Sequence, residues 1–246
     1  MGTITILGDG ALGRAIAAAA DARGDGLRIV GRPIGGRHAT EVFDGAEVVV
    51  DASRGDAVCR NVDAATDAGV RRFVVAATGW QADADEIAAA LRRTGSVAVA
   101  APNLSLAAAI FLRLVERAGE LAAAVGGFEP SVLEWHRRAK LDRPSGTARE
   151  LVRRLAGSLP VEIEDVAVIR SGSMPGMHAV AFDGPSETIE LRLTARDRSG
   201  YAAGALLAID WLRSTPTTPG MHAFDEVVDE LLAGVTTRRE ESAMTV

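Results

Sequence analysis

The chain has 246 residues, of which 48% are apolar and 24% charged, and its formal net charge is −6. This composition is typical of a globular protein with one large domain or two small ones, and the negative charge argues against a surface that binds duplex nucleic acid. The single cysteine, Cys59, excludes an internal disulfide and a structural zinc site built from cysteines. With no leader-like start and no apolar run long enough to span a bilayer, a soluble cytoplasmic protein is expected.

The first half of the chain alternates between strand-like and helix-like segments. Short apolar or β-branched runs predict strands at 3–7, 27–31, 46–53, 71–79 and 96–103. The segments between them have the spacing of amphipathic helices. Continuous apolar strands that alternate with helices indicate an α/β domain whose parallel sheet is covered on both faces.

The second half has a different pattern. A long helix at about 105–123 leads to a strand at 130–136, and a loop and a helix follow it. Three later segments, at 161–170, 177–182 and 187–196, alternate in polarity and are joined by short turns. They indicate an α+β domain with an open antiparallel or mixed sheet, one face of which is solvated. Two further helices are predicted towards the C-terminus.

A glycine motif follows the first predicted strand and opens the first predicted helix. Gly8, Gly10 and Gly13 form G-x-G-x-x-G in TITILGDGALGRA. Such glycines allow a tight turn and let the backbone approach a pyrophosphate, which the helix N-terminus then faces. The motif therefore predicts a dinucleotide site. The alternative is a tight strand-to-helix turn that holds no ligand.

The end of the second predicted strand bears on the choice of cofactor. A carboxylate there binds the ribose hydroxyls of NAD, whereas an arginine accepts the additional phosphate of NADP. The sequence RIVGRP has no acidic residue at that end and contains Arg32. This favours NADPH, with NADH still possible because the loop can hold either.

The stretch EWHRRAKLDRPSGTA, at 134–148, concentrates positive charge around a histidine. Reduction by hydride requires a proton source, and His136 has a pKa suited to that role. The neighbouring cations are Arg137, Arg138, Lys140 and Arg143. Ser145, Gly146 and Thr147 then lead into a helix, whose N-terminus binds carboxylates well. A small polyanionic substrate, such as a dicarboxylate, explains this local charge in an acidic protein.

A structural reading of the same stretch is also open. Thr147 and Glu150 have the spacing of a capping box, which by itself explains the threonine. Glu134 and Asp142 can pair with the arginines on a solvated face. His178 is expected to pack in a core or interface, and no set of histidines and carboxylates has metal-ligand spacing, so no metal is predicted.

The stretch resembles the signature E-x-H-H-x-x-K-x-D-x-P-S-G-T-A of the 4-hydroxy-tetrahydrodipicolinate reductase family. The resemblance extends along nearly the whole chain, in the same order. GDGALGRA is similar to the family's N-terminal fingerprint, VVDASRGD to D-F-T-x-P-E, VVAATGW to V-I-G-T-T-G-F and APNLS to A-x-N-F-S. GSMPGMHAVAF resembles the G-E-H-x-V-x-F strand.

The resemblance implies roles for individual residues. His136 matches the family's proton donor, and Lys140 matches the lysine that assists it. The implied substrate-binding residues are Arg137, Ser145, Gly146 and Thr147. The implied cofactor-binding residues are Gly8, Asp9, Gly10, Ala11, Leu12, Gly13, Arg32, Ser53, Ala77, Thr78, Gly79, Ala101 and Asn103.

The resemblance also implies an architecture and an assembly. It divides the chain into a Rossmann-like dinucleotide-binding domain (1–104 and 214–246) and a substrate-binding domain (105–213). In the family the open sheet of the second domain builds a homotetramer. This chain departs from the signature at Arg137, where the family has its second histidine, and at Ala76 and Ala77 in the nicotinamide loop.

The predicted function is reduction of a cyclic unsaturated imine dicarboxylate by NAD(P)H. The substrate implied by the resemblance is 4-hydroxy-tetrahydrodipicolinate, in lysine and diaminopimelate biosynthesis. Because Arg137 departs from the family, a reductase of the same fold that acts on a different small carboxylate is an alternative. A second alternative, suggested by the altered nicotinamide loop, is a non-catalytic NADPH-binding regulatory protein.

Overall fold

A computed structural model describes residues 2–30, 41–101, 103–215 and 217–244. The chain forms two compact units, one of residues 1–105 and 201–246 and the other of residues 106–200. The prediction had assigned residues 201–213 to the second domain. They cluster instead with the first unit, in which Arg213 bonds Asp25 and Glu47.

The first unit is built on a six-stranded parallel sheet. Its strands are β1 (Thr3–Leu7), β2 (Gly26–Val30), β3 (Ala46–Asp51), β4 (Arg72–Val75), β5 (Val97–Ala100) and β10 (Gly220–Ala223), in the order β10-β5-β4-β3-β1-β2. The helices of this unit are α1 (Ala11–Ala22), α2 (Val58–Asp67), α3 (Ala84–Thr94), α6 (Ser199–Ser214, whose first two residues fall in the second unit) and α7 (Phe224–Met244).

The central strands of this sheet are apolar throughout because both faces are covered. All four residues of β5 are buried, as are the last three of β4 and the last four of β3. Strand β10 had not been predicted from the sequence. The structure places His222 on β10, which pairs with β5 in parallel.

The second unit is a mixed sheet covered by helices. Its strands are β6 (Glu129–His136), β7 (Ala167–Arg170), β8 (Gly176–Asp183) and β9 (Thr188–Ala195), in the order β7-β6-β8-β9. Its helices are α4 (Leu106–Val125) and α5 (Gly146–Leu155). Strand β7 is parallel to β6, whereas β8 is antiparallel to both β6 and β9.

The core of the second unit lies on one side of this sheet. Phe111 and Val115 of α4 and Leu151 of α5 pack against Val180 and Phe182 of β8. The predicted strand at 161–170 is only partly present, because residues 163–165 form a single 3-10 turn. The predicted fold class, a parallel α/β domain with an α+β domain and an open mixed sheet, is confirmed.

Within the described residues, no helix is both long enough and apolar enough to span a membrane.

Candidate active site

The glycine turn between β1 and α1 has the geometry of a phosphate cradle. Gly8 has φ +104°, a conformation that favours glycine. A side chain on Gly13 would overlap the carbonyl oxygen of Gly8. At Gly10, the N-cap of α1, a Cβ would meet no atom of the described residues within 4 Å, and no side chain among them caps the helix. The turn therefore offers open N–H groups at the positive end of a helix, which suits a pyrophosphate.

Replacing Gly10 with alanine tests this cradle. Since the free protein has room for the added methyl group, we expect the melting temperature to change by less than about 3 °C. The methyl group would occupy the space into which a phosphate must fit, so the affinity for the dinucleotide should fall at least about tenfold. Fluorescence titration with NADPH and with NADH measures this.

Gly157→Ala is the matched control, because its Cβ would make only an ordinary contact in the second unit. It should leave the affinity unchanged. Unaltered dinucleotide affinity in Gly10→Ala would contradict a phosphate site at this turn.

Asp51 organises the segments that follow β3 and β4. Its backbone carbonyl accepts hydrogen bonds from the N–H groups of Ala76 and Ala77, at 2.8 and 2.9 Å. Its carboxylate accepts from the backbone N–H and hydroxyl of Ser53 and from the amide of Asn61. Burial raises the pKa of Asp51, although the bonds from Ser53 and Asn61 act against this rise. Ser53 is thereby fixed beside the segment that contains Ala77.

The segment after β4 is shaped by its backbone contacts. The indole N–H of Trp80 donates to the carbonyl of Ala77 at 3.0 Å. A Cβ on Gly55 would overlap the backbone of Gly79. The segment after β3 and the segment after β4 therefore touch without intervening side chains. The methyl group of Ala77 packs in the core, whereas Thr78 and Gly79 are exposed. Ala77, one of the two alanines that depart from the family motif, therefore faces the core.

The predicted cofactor residues of this unit lie after the carboxyl ends of parallel strands. The segments after β1, β3, β4 and β5 contribute Gly8–Gly13, Ser53, Ala77–Gly79, and Ala101 with Asn103. Neighbouring parallel strands bring such segments to one edge of the sheet, where dinucleotides bind in doubly wound folds. Arg32 lies outside the described residues.

In the second unit, the residues of the charged stretch converge on one edge of the sheet. His136 ends β6 and Arg170 ends the parallel strand β7. Strand β8 is antiparallel, so its first residues, Gly176 to His178, lie at the same edge. Ser145 is the N-cap of α5, and its backbone N–H donates to Glu134.

Glu134 is the buried centre of this group. Its Oε1 accepts from Arg170 Nη2 at 2.6 Å and from the backbone N–H of Ser145 at 3.1 Å. The side chains of Glu134 and Arg170 are both 0% exposed. Burial opposes ionisation, but the interactions of Glu134 with His178, Ser145 and Arg170 outweigh it and hold the pKa of Glu134 well below its usual range. The alternative of a solvated pairing is therefore wrong for Glu134.

His136 lies beside that carboxylate. Its Nδ1 is 3.5 Å from Glu134 Oε2. Burial and the electrostatic interactions with His178, Lys140 and Arg170 together lower the pKa of His136 to about 4, although Glu134 acts in the opposite direction. In the protein alone, His136 is thus neutral at pH 7.

His178 lies on the other side of the same carboxylate. Its Nε2 is 2.9 Å from Ser145 Oγ and 3.4 Å from Glu134 Oε2. The rings of His178 and His136 meet edge to face at 5.1 Å. His178 is buried, as predicted, but its polar contacts tie it to this group.

The start of α5 is capped by Ser145. Its hydroxyl accepts from the N–H of Ala148 at 3.2 Å. The predicted capping box of Thr147 and Glu150 is therefore wrong, and Glu150 pairs with arginines on α5 instead. In the part of the chain that the structure describes, a Cβ on Gly146 would meet nothing within 4 Å, so a carboxylate can approach the backbone at the start of this helix.

Two further predicted residues flank this group. Lys140 pairs with Asp142 at 2.8 Å, and its side chain is 30% exposed. Arg137 is exposed. Both cations can therefore reach a bound anion.

Glu134, His136 and His178 also form a group of the kind that holds metal ions, since one ligand atom from each lies within 4.8 Å of the others. The sequence spacing had not indicated this group. One oxygen of Glu134 is already engaged by Arg170, whose positive charge disfavours a cation beside it. The absence of a metal stays a prediction.

Comparison with known proteins identifies the family. The model of the family described as "Dihydrodipicolinate reductase, C-terminus" matches residues 107–228. A 4-hydroxy-tetrahydrodipicolinate reductase from Myxococcus xanthus is 34% identical over an alignment of 202 positions that covers 74% of this chain and 72% of that protein. One from Syntrophobacter fumaroxidans is 30% identical over 212 residues, 78% and 76% of the two chains. The chain belongs to the dihydrodipicolinate reductase family.

Solved structures agree with this assignment at the level of the fold. A dipicolinate-bound dihydrodipicolinate reductase from Paenisporosarcina sp. TG-14 matches 91% of this chain and 97% of its own, with a TM-score of 0.70 and 15% identity. An amine dehydrogenase from Mycobacterium smegmatis matches with a TM-score of 0.57 and 10% identity. The predicted family and the predicted enzyme class, an NAD(P)H-dependent oxidoreductase that uses a nicotinamide cofactor, are confirmed.

Three residues of the site in this dihydrodipicolinate reductase family member were missed in the prediction from sequence. Glu134, Arg170 and His178 were not predicted to have functional roles. Two signals pointed to Glu134: it is the first residue of the family signature, and Glu134 and His136 are two apart on a strand and must share a face. Arg170 and His178 come from other strands, so only the register of the sheet places them beside His136.

Proposed function

We propose that this chain is an NADPH-dependent 4-hydroxy-tetrahydrodipicolinate reductase of lysine and diaminopimelate biosynthesis. The observation that carries the proposal is the convergence of His136, Lys140 and the Ser145 helix start at one edge of the second unit. Its relatives are named for that reaction.

The substrate proposed here is a cyclic imine with two carboxylates. One carboxylate would be held at the start of α5 by the backbone of Gly146 and Thr147 and by the positive end of the helix. Lys140 and Arg137 would neutralise the remaining charge, and arginine can bind a carboxylate through two parallel hydrogen bonds. These contacts would orient the ring and favour the anionic state that follows reduction.

The cofactor would be held by the first unit. The N–H groups at Gly8–Gly13 suit its pyrophosphate, and the segment at Ala77–Gly79, with Ser53, Ala101 and Asn103, would hold the nicotinamide end. When bound, it supplies the hydride that reduces the unsaturated ring. The proposed preference for NADPH over NADH rests on the presence of Arg32 in the sequence. The ratio of the kcat/KM values for NADPH and for NADH tests that preference.

His136 or Lys140 would supply the proton that completes the reduction. Because His136 is neutral at pH 7 in the protein alone, it must first be protonated to act as an imidazolium. A dianion bound beside it raises its pKa, since a nearby negative charge favours the charged form. Lys140, a cation held by Asp142, is the other donor within this group.

Proton uptake on binding is therefore expected. At pH 7, dipicolinate, the ligand of the Paenisporosarcina sp. TG-14 structure, should bind the NADPH complex with uptake of up to about one proton per site. Calorimetric titrations in buffers of different ionisation enthalpy measure this. Uptake should decrease towards pH 4, where about half of His136 is already protonated before binding.

His136→Gln is the test variant for this uptake and should abolish most of it. His222→Gln is the control, because His222 lies on β10 in the first unit and pairs with Glu226. Equal uptake by the wild type and His136→Gln would exclude His136 as the group that is protonated.

A reductase of the same fold with another substrate is the second candidate, favoured by the exposed Arg137. A panel of cyclic imines and keto acids, each with one or two carboxylates, separates the two. The proposal expects the highest kcat/KM with 4-hydroxy-tetrahydrodipicolinate and at least about a hundredfold loss when one carboxylate is removed. A different preferred substrate would favour the second candidate, and binding of NADPH without turnover of any would favour a non-catalytic role.

A homotetramer in the cytoplasm is proposed as the working state. On the side of the second sheet away from the core, Ile169 is 44% exposed, and Arg192 lies over the ring of Trp135. These residues belong to neighbouring strands β7, β9 and β6, and form part of an uncovered face suited to a partner copy. Light scattering of the purified protein measures the mass, and a monomeric mass would exclude this assembly.

A further inference from the structure

The Glu134 carboxylate is anchored through only one of its oxygens. Oε1 accepts the bonds from Arg170 and the Ser145 backbone. Within the described residues, Oε2 makes no hydrogen bond, although it is buried. Oε2 lies 3.5 Å from His136 Nδ1 and 3.4 Å from His178 Nε2. Oε2, the oxygen that Arg170 and Ser145 do not bind, thus lies next to the imidazole rings of His136 and His178.

An ionised carboxylate can only accept hydrogen bonds. The low pKa of Glu134 keeps it ionised at neutral pH, so the ring nitrogens that face it are favoured when they carry hydrogen. For His136 this places a proton on Nδ1. The other nitrogen, Nε2, is then the site at which a second proton is gained and lost.

The space around His136 supports one ring orientation. A Cβ at Gly176 would lie 3.0 Å from both Cδ2 and Nε2 of His136. The ring is thus held between Glu134 at its Nδ1 and the backbone of Gly176 at its Nε2 edge. A Cβ at position 176 would require the ring to shift by a few tenths of an ångström.

Four of the described residues influence the charge of His136. Glu134 lies on β6, His178 on β8, Arg170 on β7 and Lys140 in the loop after β6. Glu134 is the negative member of this set, and the other three disfavour the imidazolium. Formation of the imidazolium when the substrate binds therefore depends on Glu134.

We propose that Glu134 is the positioning residue for His136, holding the ring with its Nδ1 proton towards Oε2 and supplying the negative charge that stabilises the imidazolium. This inference rests on the proposed function for the donor role of His136. It goes beyond the proposed function because it assigns the reactivity of His136 to the buried carboxylate of Glu134.

The test is Glu134→Gln, observed through the ¹⁵N-labelled histidines of the full chain. The glutamine carbonyl can still accept from Arg170 and Ser145, but its NH₂ group would face His136 and donate to it. We expect neutral His136 to carry its proton on Nδ1 in the wild type and on Nε2 in the variant. In the NADPH and dipicolinate complex at pH 7, the imidazolium should form in the wild type only.

Steady-state kinetics distinguish a positioning role of Glu134 from a purely structural one. Glu134→Gln should lower kcat about 10²- to 10⁴-fold, the range of a lost general acid, and change KM less than about threefold. Glu134→Asp, which restores the charge, should recover part of kcat and the Nδ1 proton. Glu150→Gln is the matched control, because Glu150 pairs with Arg153 and Arg154 on α5, and it should leave both readouts unchanged.

Either of two results would overturn the proposal: neutral His136 protonated on Nε2 in the wild type, or a wild-type protonation pattern with near-normal kcat in Glu134→Gln. The first result is measured on the wild type. The proposal can therefore still be tested if Glu134→Gln does not fold. The histidine spectra also need no turnover. If the wild type fails to reduce the proposed substrate, the spectra still decide the role of Glu134, and only the proposed function is lost.

Discussion

Replacing His136 with glutamine is expected to lower kcat about 10²- to 10⁴-fold while KM changes only a few-fold. His136 ends β6 beside Glu134, at the edge where Lys140 and the start of α5 also lie. A proton donor acts in the transition state, so its loss appears in kcat and in kcat/KM alike. The carboxylate contacts proposed for Gly146 and Thr147 remain, which preserves binding. Steady-state kinetics with saturating NADPH measure both constants.

His222→Gln is the control for this measurement, since its interactions with Glu226 and Thr218 lie in the first unit. A near-normal kcat in His136→Gln would assign proton donation to Lys140 instead. In that case Lys140→Met should cause the large loss of kcat.

Replacing Arg170 with methionine is expected to lower the free energy of unfolding by about 3–5 kcal/mol. Arg170 Nη2 is 2.6 Å from Glu134 Oε1, and both side chains are fully buried. The substitution leaves the Glu134 carboxylate buried without its cation, which costs far more than loss of an exposed ion pair. Urea unfolding at pH 7, followed by circular dichroism, measures the change.

Two further variants show whether the unpaired carboxylate is the cause. The double variant Glu134→Met with Arg170→Met should be more stable than Arg170→Met alone, because no buried charge remains. Arg153→Met removes an exposed pair with Glu150 and should change the free energy of unfolding by less than about 1 kcal/mol. If Arg170→Met were no more destabilising than Arg153→Met, the Glu134–Arg170 pair would not stabilise the second unit.

Most of the fold could be predicted because burial leaves a direct pattern in the chain. Strands β4 and β5 are apolar at nearly every position, and β9 alternates. Strand β10 has only four residues and no such pattern; its pairing with β5 is a tertiary contact. The 3-10 turn at 163–165 carries two acidic residues and interrupts a segment whose composition resembles a strand.

The candidate site was predictable to the extent that it is contiguous in sequence. The motif at 134–148 contains His136, Lys140 and the start of α5. Glu134 belongs to the same motif, yet whether it meets solvent or Arg170 depends on the pairing of β6 with β7. Likewise, the contact between His178 and Ser145 joins residues 33 apart. Polarity and spacing do not encode such pairings, which follow from strand register.

The most direct measurement of the central claim is NADPH oxidation by the purified protein, with 4-hydroxy-tetrahydrodipicolinate generated in the cuvette by the upstream aldolase. The account predicts turnover at an ordinary enzymatic rate, on the order of tens per second, and near-complete loss of that rate in His136→Gln. Intact NADPH binding with no oxidation by the wild type would contradict it and would mean that this dihydrodipicolinate reductase scaffold acts on another substrate.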